Sequence, residues 1–315
     1  MRLTSVLSRG LQIGTRAMYR HAPGPIVRGT TQLTARMTTG AGTPWAQQRL
    51  RYERPFRLTH PLAAGVTVEE LELGGRPALR SAGPTTDGVV LYLHGGGYCI
   101  GSLRTHLPLS TYLAARTGAA VYQLDYRLAP EHPYPAALHD ALAAARELGA
   151  RHGYENLALA GDSAGGGLAA ATALALATEG HRVAALALSS PWCDPFDIPE
   201  QESDTVLTLR WLRECLAASR GDAQPGDPGF APRHGDLSTL PPTIVHAVST
   251  EILYPQSVAF VDAARAAGAD VTFADYPELW HHFHVNVTAS PKLEVPVGEW
   301  ADFMRARLAP APERK

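Results

Sequence analysis

Residues 157–167 read Leu-Ala-Leu-Ala-Gly-Asp-Ser-Ala-Gly-Gly-Gly. An apolar run of strand length ends in Gly161-Asp162-Ser163-Ala164-Gly165, and Leu168–Ala177 that follows is almost entirely Ala and Leu with one Thr, which suits a buried helix. Strand, sharp turn and helix are the context that a Gly-x-Ser-x-Gly pattern needs before its serine carries meaning. The two elements nearly collide at such a turn, so residues without Cβ must flank the serine. Ser163 then stands at a helix N-terminus, where free N–H groups and the helix dipole favour developing negative charge. A plain Gly-rich turn in an Ala-rich chain is the alternative. The context, and the partners found below, favour a nucleophile.

The chain has 315 residues and 45% hydrophobic content, enough for one large α/β domain or two small ones. A net charge of −2 offers no bulk attraction for nucleic acid. Cys99, Cys193 and Cys215 are far apart and lack CxxC spacing, so neither a zinc site nor a disulfide framework is expected. Reduced thiols and a cytoplasmic location follow as the default. No apolar run approaches the roughly 18 residues of a membrane span, so stable insertion is not expected.

The N-terminus is unusual. No Asp or Glu precedes Glu53, while Arg2, Arg9, Arg16, Arg20, Arg28 and Arg36 recur among Ser, Thr and apolar residues. Leu11-Gln12-Ile13-Gly14 interrupts any secretory apolar core. A transit peptide and a basic helix on an anionic membrane both fit this composition. Arg is preferred to Lys throughout the chain, however, which favours a third reading, a segment packed over an active site.

Further along, strands and helices alternate. Val66–Leu73 and Pro77–Ala82 read as strands joined across Gly74-Gly75. Val89–Leu93 is a short continuous apolar run, as in a strand buried on both faces, and it ends in His94-Gly95-Gly96-Gly97-Tyr98. Helix Leu107–Arg116, strand Ala119–Leu124, a Pro-punctuated loop and helix Ala136–Arg151 precede the serine turn. Strand Val183–Ser189 follows it. Residues 192–240 then break the rhythm with Asp, Glu, Pro and Gly around one helix near Leu207–Ala218, as a lid would. The rhythm resumes with strand Thr243–Val248, helix Gln256–Ala267, strand Val271–Ala274 and a helix from about Val295 to Leu308. This alternation predicts an α/β fold, a mostly parallel sheet with helices on both faces and ligands beyond the carboxyl ends of the strands. His94, Ser163, Glu251 and His281 all fall at that rim.

A serine hydroxyl needs a base to take its proton, and that base needs a carboxylate to orient it. Trp280-His281-His282-Phe283-His284 supplies the base, with His281 as the choice because it comes first after the loop. His282 and Phe283 are candidates for the pocket wall, and His282 or His284 could equally be satisfied loop histidines. The three histidines lack i, i+4 spacing and an evident carboxylate ligand, so a metal is not expected. Glu251, just past strand 243–248, fits the acid; Asp275 is the runner-up but leaves little chain before the histidine. Asp262 lies inside a helix and Asp270 at the wrong end of a strand. For the oxyanion, the consecutive glycines after His94 let backbone N–H groups reach a substrate oxygen. Gly96 and Gly97, with Ala164 as the third, are the expected donors, and Gly95 belongs to the same loop. Tyr98 is a candidate for the pocket wall.

These residues together resemble the hormone-sensitive-lipase-like branch of the α/β-hydrolase superfamily, the bacterial family IV esterases. The resemblance covers about residues 56–308. It rests on His94-Gly95-Gly96-Gly97, on Gly161-Asp162-Ser163-Ala164-Gly165-Gly166, and on the loop Tyr126-Arg127-Leu128-Ala129-Pro130-Glu131-His132-Pro133-Tyr134-Pro135-Ala136-Ala137. Asp236-Leu237 before Leu240-Pro241-Pro242 is similar to that family's entry into the acid-bearing strand. Many members carry Asp-Pro-Leu at the acid; here Ser249-Thr250-Glu251-Ile252-Leu253 and Trp280-His281 resemble a sub-branch with a Glu acid that includes lactone hydrolases. The resemblance implies an α/β-hydrolase core of residues 56–191 and 241–315 under a helical cap built from 1–55 and 192–240. It further implies an ester or lactone as substrate, no cofactor, and a homodimer as one assembly the family adopts. Arg127 and Glu131 are placed to form a buried ion pair or hydrogen bonds that hold the catalytic loops. Asp162 and His94 are expected to support the motifs rather than react. A lyase or cyclase using the same triad as a base, and a non-catalytic ligand receptor on the same fold, are the rival functions.

Overall fold

A strand that is apolar on both faces must be roofed from both sides. The computed structural model describes residues 40–308 apart from 85 and 198, together with 29, 31–33 and 35. Its strands are β1 (Thr67–Leu73), β2 (Arg76–Ala82), β3 (Val89–Leu93), β4 (Ala120–Leu124), β5 (Leu157–Asp162), β6 (Ala185–Ser189), β7 (Thr243–Ala247) and β8 (Val271–Asp275). They form one sheet in the order β1-β2-β4-β3-β5-β6-β7-β8. β1 and β2 pair antiparallel as a hairpin, β2 joins β4 antiparallel, and β4 through β8 run parallel. The expected α/β fold with a mostly parallel sheet is the one observed.

Period-two alternation sorts the strand residues between two cores. Leu91 and Leu93 of β3, Leu157 and Leu159 of β5, and Leu186 and Leu188 of β6 enter one core. Their neighbours Val90, Tyr92, Ala158, Ala160, Ala185 and Ala187 enter the other. The alanines on that second face leave volume for large rings, and Trp300 and Phe283 occupy it. Helices α1 (Trp45–Thr59), α2 (Leu103–Thr117), α3 (Ala136–His152), α4 (Ala164–Thr178), α5 (Leu209–Ser219), α6 (Tyr254–Ala266) and α7 (Glu294–Arg305) complete the layers. α2 starts a turn earlier than its apolar periodicity predicts, because Ser102 and Thr105 form a reciprocal capping box that extends it.

The 192–240 segment leaves the alternation, as expected, and contributes α5 and two short 3₁₀ turns. Its two ends are tied together. Asp194, almost fully buried, accepts from Arg233 Nη2 and His234 Nε2, each at 2.7 Å. The expected first segment, 1–55, lies largely outside the described residues, and α1 runs through residue 55 without a break.

The junction that positions the site is β5–α4. Gly165, on the first turn of α4, sits so close to the end of β3 that a Cβ there would collide with the carbonyls of Leu93 and His94. Gly165→Ala is therefore expected to destabilise the fold by about 1–3 kcal/mol or more and to displace the serine turn. A fall in Tm would bear this out; an unchanged Tm would not.

Candidate active site

Ser163 occupies the tip between β5 and α4 with φ 53° and ψ −123°, in the left-handed region that side chains rarely adopt. Its backbone is pinned on both sides: its N–H donates to Ser189 O at 2.8 Å, and its carbonyl accepts from Gly167 N at 3.0 Å and Trp192 N at 2.9 Å. The hydroxyl does not cap α4 and is thereby free to face another partner. That partner is His281, whose Nε2 lies 2.9 Å from Ser163 Oγ. On the other side of the ring, His281 Nδ1 lies 2.8 Å from Glu251 Oε2. Ser163 comes from the β5 end, Glu251 from the turn after β7, and His281 from the loop after β8. All three are buried, which strengthens each contact by excluding water. Asp275, the runner-up acid, instead accepts the Ser249 N–H at 2.8 Å and braces the turn that carries Glu251.

Burial of the His281 ring opposes its charged form. The hydrogen bond and charge of Glu251 outweigh that, with Asp204 and Asp162 adding, and the imidazole titrates above its ordinary 6.5. It can act as a base toward Ser163 only when neutral.

The glycine loop behaves as two halves. Gly95 N–H donates to Asp162 Oδ1 at 3.0 Å, so Gly95 is taken up in support and is not free to meet a substrate oxygen, contrary to its expected place in an oxyanion cradle. Among the described residues, no acceptor engages the N–H groups of Gly96, Gly97 or Ala164. Gly96 adopts φ 123°, and a Cβ there would strike the Ile100 carbonyl, so only glycine fits. His94 stays neutral, driven down to about 4 by burial beside His106, and its Nδ1 bonds the Gly95 carbonyl at 2.8 Å. Tyr126 stacks on the His94 ring and donates to its carbonyl at 2.6 Å.

Asp162, fully buried, is the hub beneath this loop. Besides Gly95 it accepts from Tyr92 Oη at 2.6 Å, and His106 Nε2 stands 3.3 Å away. Burial works against ionisation of Asp162, yet His106 and His282, with the Tyr92 hydrogen bond, hold its carboxyl well below the usual carboxylate range. Tyr92 and His106 carry no motif signal; an interior strand residue and a helix histidine look like core in sequence.

Other expected residues separate. Arg127 does not pair with Glu131. Its guanidinium forks onto Asp140 at 2.7 and 2.9 Å, while Glu131 faces outward and receives Arg49 of α1 at 2.7 and 2.9 Å. A loop that turns through successive prolines directs residues 127 and 131 apart, and helix α3 presents Asp140 to the nearer one. Phe283 is no pocket residue: it is fully buried in the second core, stacked on His284 and edge-on to Tyr276. His284 bonds Ser189 Oγ at 2.6 Å and His246 Nδ1 at 3.1 Å, a satisfied interior histidine. His282 keeps partial exposure, with its ring edge-on to His281 and Nδ1 3.8 Å from Asp162 Oδ2. Tyr98 lines a narrow pocket with Leu168, Leu138 and Phe230. Over the loop, Trp211 and Cys215 of α5 press against Gly97, and Trp211 Nε1 donates to Gln48 of α1 at 2.9 Å. Among the described residues, no group of three or more His, Cys, Asp or Glu side chains could hold a metal ion, and no helix is long and apolar enough to cross a membrane.

Comparison with known proteins adds to this geometry. The family model described as the alpha/beta hydrolase fold matches residues 90–285. The acetyl-hydrolase of Streptomyces hygroscopicus is 40% identical over 204 residues, covering 62% of this chain and 68% of that protein. An esterase of Acinetobacter venetianus is 34% identical over 259 residues, covering 79% and 80%. A crystal structure of an esterase from the bacterial hormone-sensitive lipase family superposes with a TM-score of 0.82 at 32% identity, covering 89% of this chain and 98% of that one.

The acid limb of kcat/KM against pH should lie above the ordinary imidazole value of 6.5, because activity rises as His281 loses its proton. Glu251→Gln removes the dominant stabilising charge, so the limb should move to lower pH while kcat falls by up to about 10⁴-fold. A limb that stays in place in this variant would contradict the Glu251–His281 pairing.

Proposed function

The chain belongs to the α/β-hydrolase fold family, in its hormone-sensitive-lipase-like branch, and on that premise we propose how this serine ester hydrolase of carboxylesterase type works. The observation that carries the reading is the continuous contact from Glu251 through His281 to Ser163, at 2.8 and 2.9 Å. His281 removes the Ser163 proton as Oγ attacks the ester carbonyl carbon. The carbonyl oxygen becomes an oxyanion received by the N–H groups of Gly96, Gly97 and Ala164, each worth about 3 kcal/mol of barrier. Ala164 is also the first residue of α4, whose positive end favours that charge. Collapse of the tetrahedral species breaks the ester C–O bond, and His281 returns the proton to the departing alcohol. Water, deprotonated by the same imidazole, then attacks the acyl-enzyme and releases the acid and free Ser163. Glu251 stays ionised throughout, fixing the tautomer and stabilising the imidazolium.

Residues 192–240, with α1, form the cap of this reading. The support is the contact of Trp211 and Cys215 with Gly97 and the Trp211–Gln48 bond that joins both cap segments. Aromatic walls at Tyr98 and Phe230 and a cap pressed onto the oxyanion loop favour small to medium acyl esters, with lactones as the cyclic form of the same bond. The relatives named above are an acetyl-hydrolase and esterases, which favours ester hydrolysis over a lyase, a cyclase or a ligand receptor. Cys99, Cys193 and Cys215 are free and buried, consistent with the cytoplasm as the compartment.

Ser163→Ala should abolish hydrolysis of p-nitrophenyl acetate and butyrate and labelling by a fluorophosphonate, with the folded state retained by circular dichroism. A series of p-nitrophenyl esters should show kcat/KM falling beyond medium acyl length. Turnover by Ser163→Ala at the wild-type rate would overturn the assignment.

A further inference from the structure

Glu251 sits on a tight turn, and three side chains hold that turn. Asp275 takes the Ser249 N–H from the β8 side. The other two come from the cap. Gln201 Nε2 donates to the Thr250 carbonyl at 3.3 Å, and Asp204 Oδ2 accepts the Ile252 N–H at 2.9 Å. The cap thus grips the residues immediately before and after Glu251.

Asp204 is rigidly mounted for that purpose. Its Oδ1 accepts the N–H groups of Val206 and Leu207 at 2.6 and 2.7 Å, and its own N–H donates to the Leu207 carbonyl at 3.0 Å. This turn leads directly into α5, whose N-cap is Thr208. α5 in turn carries Trp211 and Cys215 against Gly97. One stiff piece of the cap therefore touches the acid turn at one end and the oxyanion loop at the other.

We propose that Asp204 is a positioning residue for ester hydrolysis: from the cap it fixes the turn that carries Glu251, so that the acid is aligned on His281 only while the cap is seated. The inference rests on the Ser163–His281–Glu251 mechanism above. Loss of the Asp204 acceptor lets the Ser249–Ile252 turn relax, Glu251 drifts from His281 Nδ1, and the imidazolium loses its main partner. Four titratable groups face that ring: Glu251, Asp204 and Asp162, which favour its charge, and His282, which burial holds neutral, down to about 3.

The test is Asp204→Asn in the full-length enzyme, followed by the pH profile of p-nitrophenyl butyrate hydrolysis. An amide nitrogen cannot accept, so one of the two sets of bonds must fail. kcat should fall about tenfold with KM within about twofold, the scale of a lost hydrogen bond to a charged group. The acid limb should move to lower pH, and because loss of the Asp204 charge alone would also move it, Gln201→Leu, which keeps every charge, is assayed beside it. An acid limb in the wild-type position overturns the proposal. Gln201→Leu removes the Thr250 bond, together with the local one to the Ser203 carbonyl, and must show the same limb displacement at smaller size whether or not Asp204→Asn folds; an unmoved limb there overturns the proposal equally. Ser163→Ala assayed alongside separates the two levels: if it remains active, the triad mechanism has failed rather than the role of Asp204.

Discussion

The whole arrangement hangs on a backbone conformation, the positive φ of Ser163 between β5 and α4. A non-glycine residue there carries strain on the order of 1–3 kcal/mol and persists only where its surroundings over-determine it. The surroundings do so through three backbone hydrogen bonds and through the absence of Cβ at Gly165, which lets α4 start against the end of β3. The strained turn lifts the hydroxyl clear of its own helix, and among the described residues no acceptor engages the N–H of Ala164, the first residue of α4. In the proposed mechanism, nucleophile and oxyanion donor thus share one local cause.

Buried charge organises the next layer. A carboxylate taken out of water must be fully paired or it costs several kcal/mol. Asp162 meets that demand at one oxygen: Oδ1 accepts from Tyr92 of β3 and Gly95 of the glycine loop with His106 of α2 at 3.3 Å, while Oδ2 has no hydrogen-bond partner among the described residues. The same bond that satisfies Asp162 also locks Gly95, so the loop presents only Gly96 and Gly97. Glu251 meets the demand through His281 and the Val248 N–H at 3.3 Å. In the proposed mechanism, one buried carboxylate shapes the cradle and the other poises the base.

The outer layer is cross-linked by side chains that look ordinary in sequence. Arg49 of α1 bonds the carbonyls of Cys99 and Ala129 as well as Glu131, tying α1 to the end of the glycine loop and to the proline-rich loop at once. Asp194 closes the base of the 192–240 segment, and Asp204 reaches from it to the acid turn. Residues 192–240 and α1 are thereby joined mechanically to the loops around Ser163, His281 and Glu251.

What the sequence by itself determined were the elements whose signal is local. Strand-length apolar runs, the glycines around Ser163 and after His94, and the break in rhythm at 192–240 all follow from periodicity and from the conformational freedom of residues without Cβ. They were enough for the sheet, the serine turn and the expectation that Glu251 and His281 lie beside Ser163. Only the tertiary structure decided which neighbour each charged or polar group takes. Arg127 chose Asp140 over Glu131, Gly95 turned to Asp162 rather than the substrate side, and Phe283 went to the core, because partners across a sheet are set by packing rather than spacing. Tyr92, His106 and Asp204 stayed hidden for the same reason: their roles come from distance in space to Asp162 and Ile252, which no linear pattern encodes.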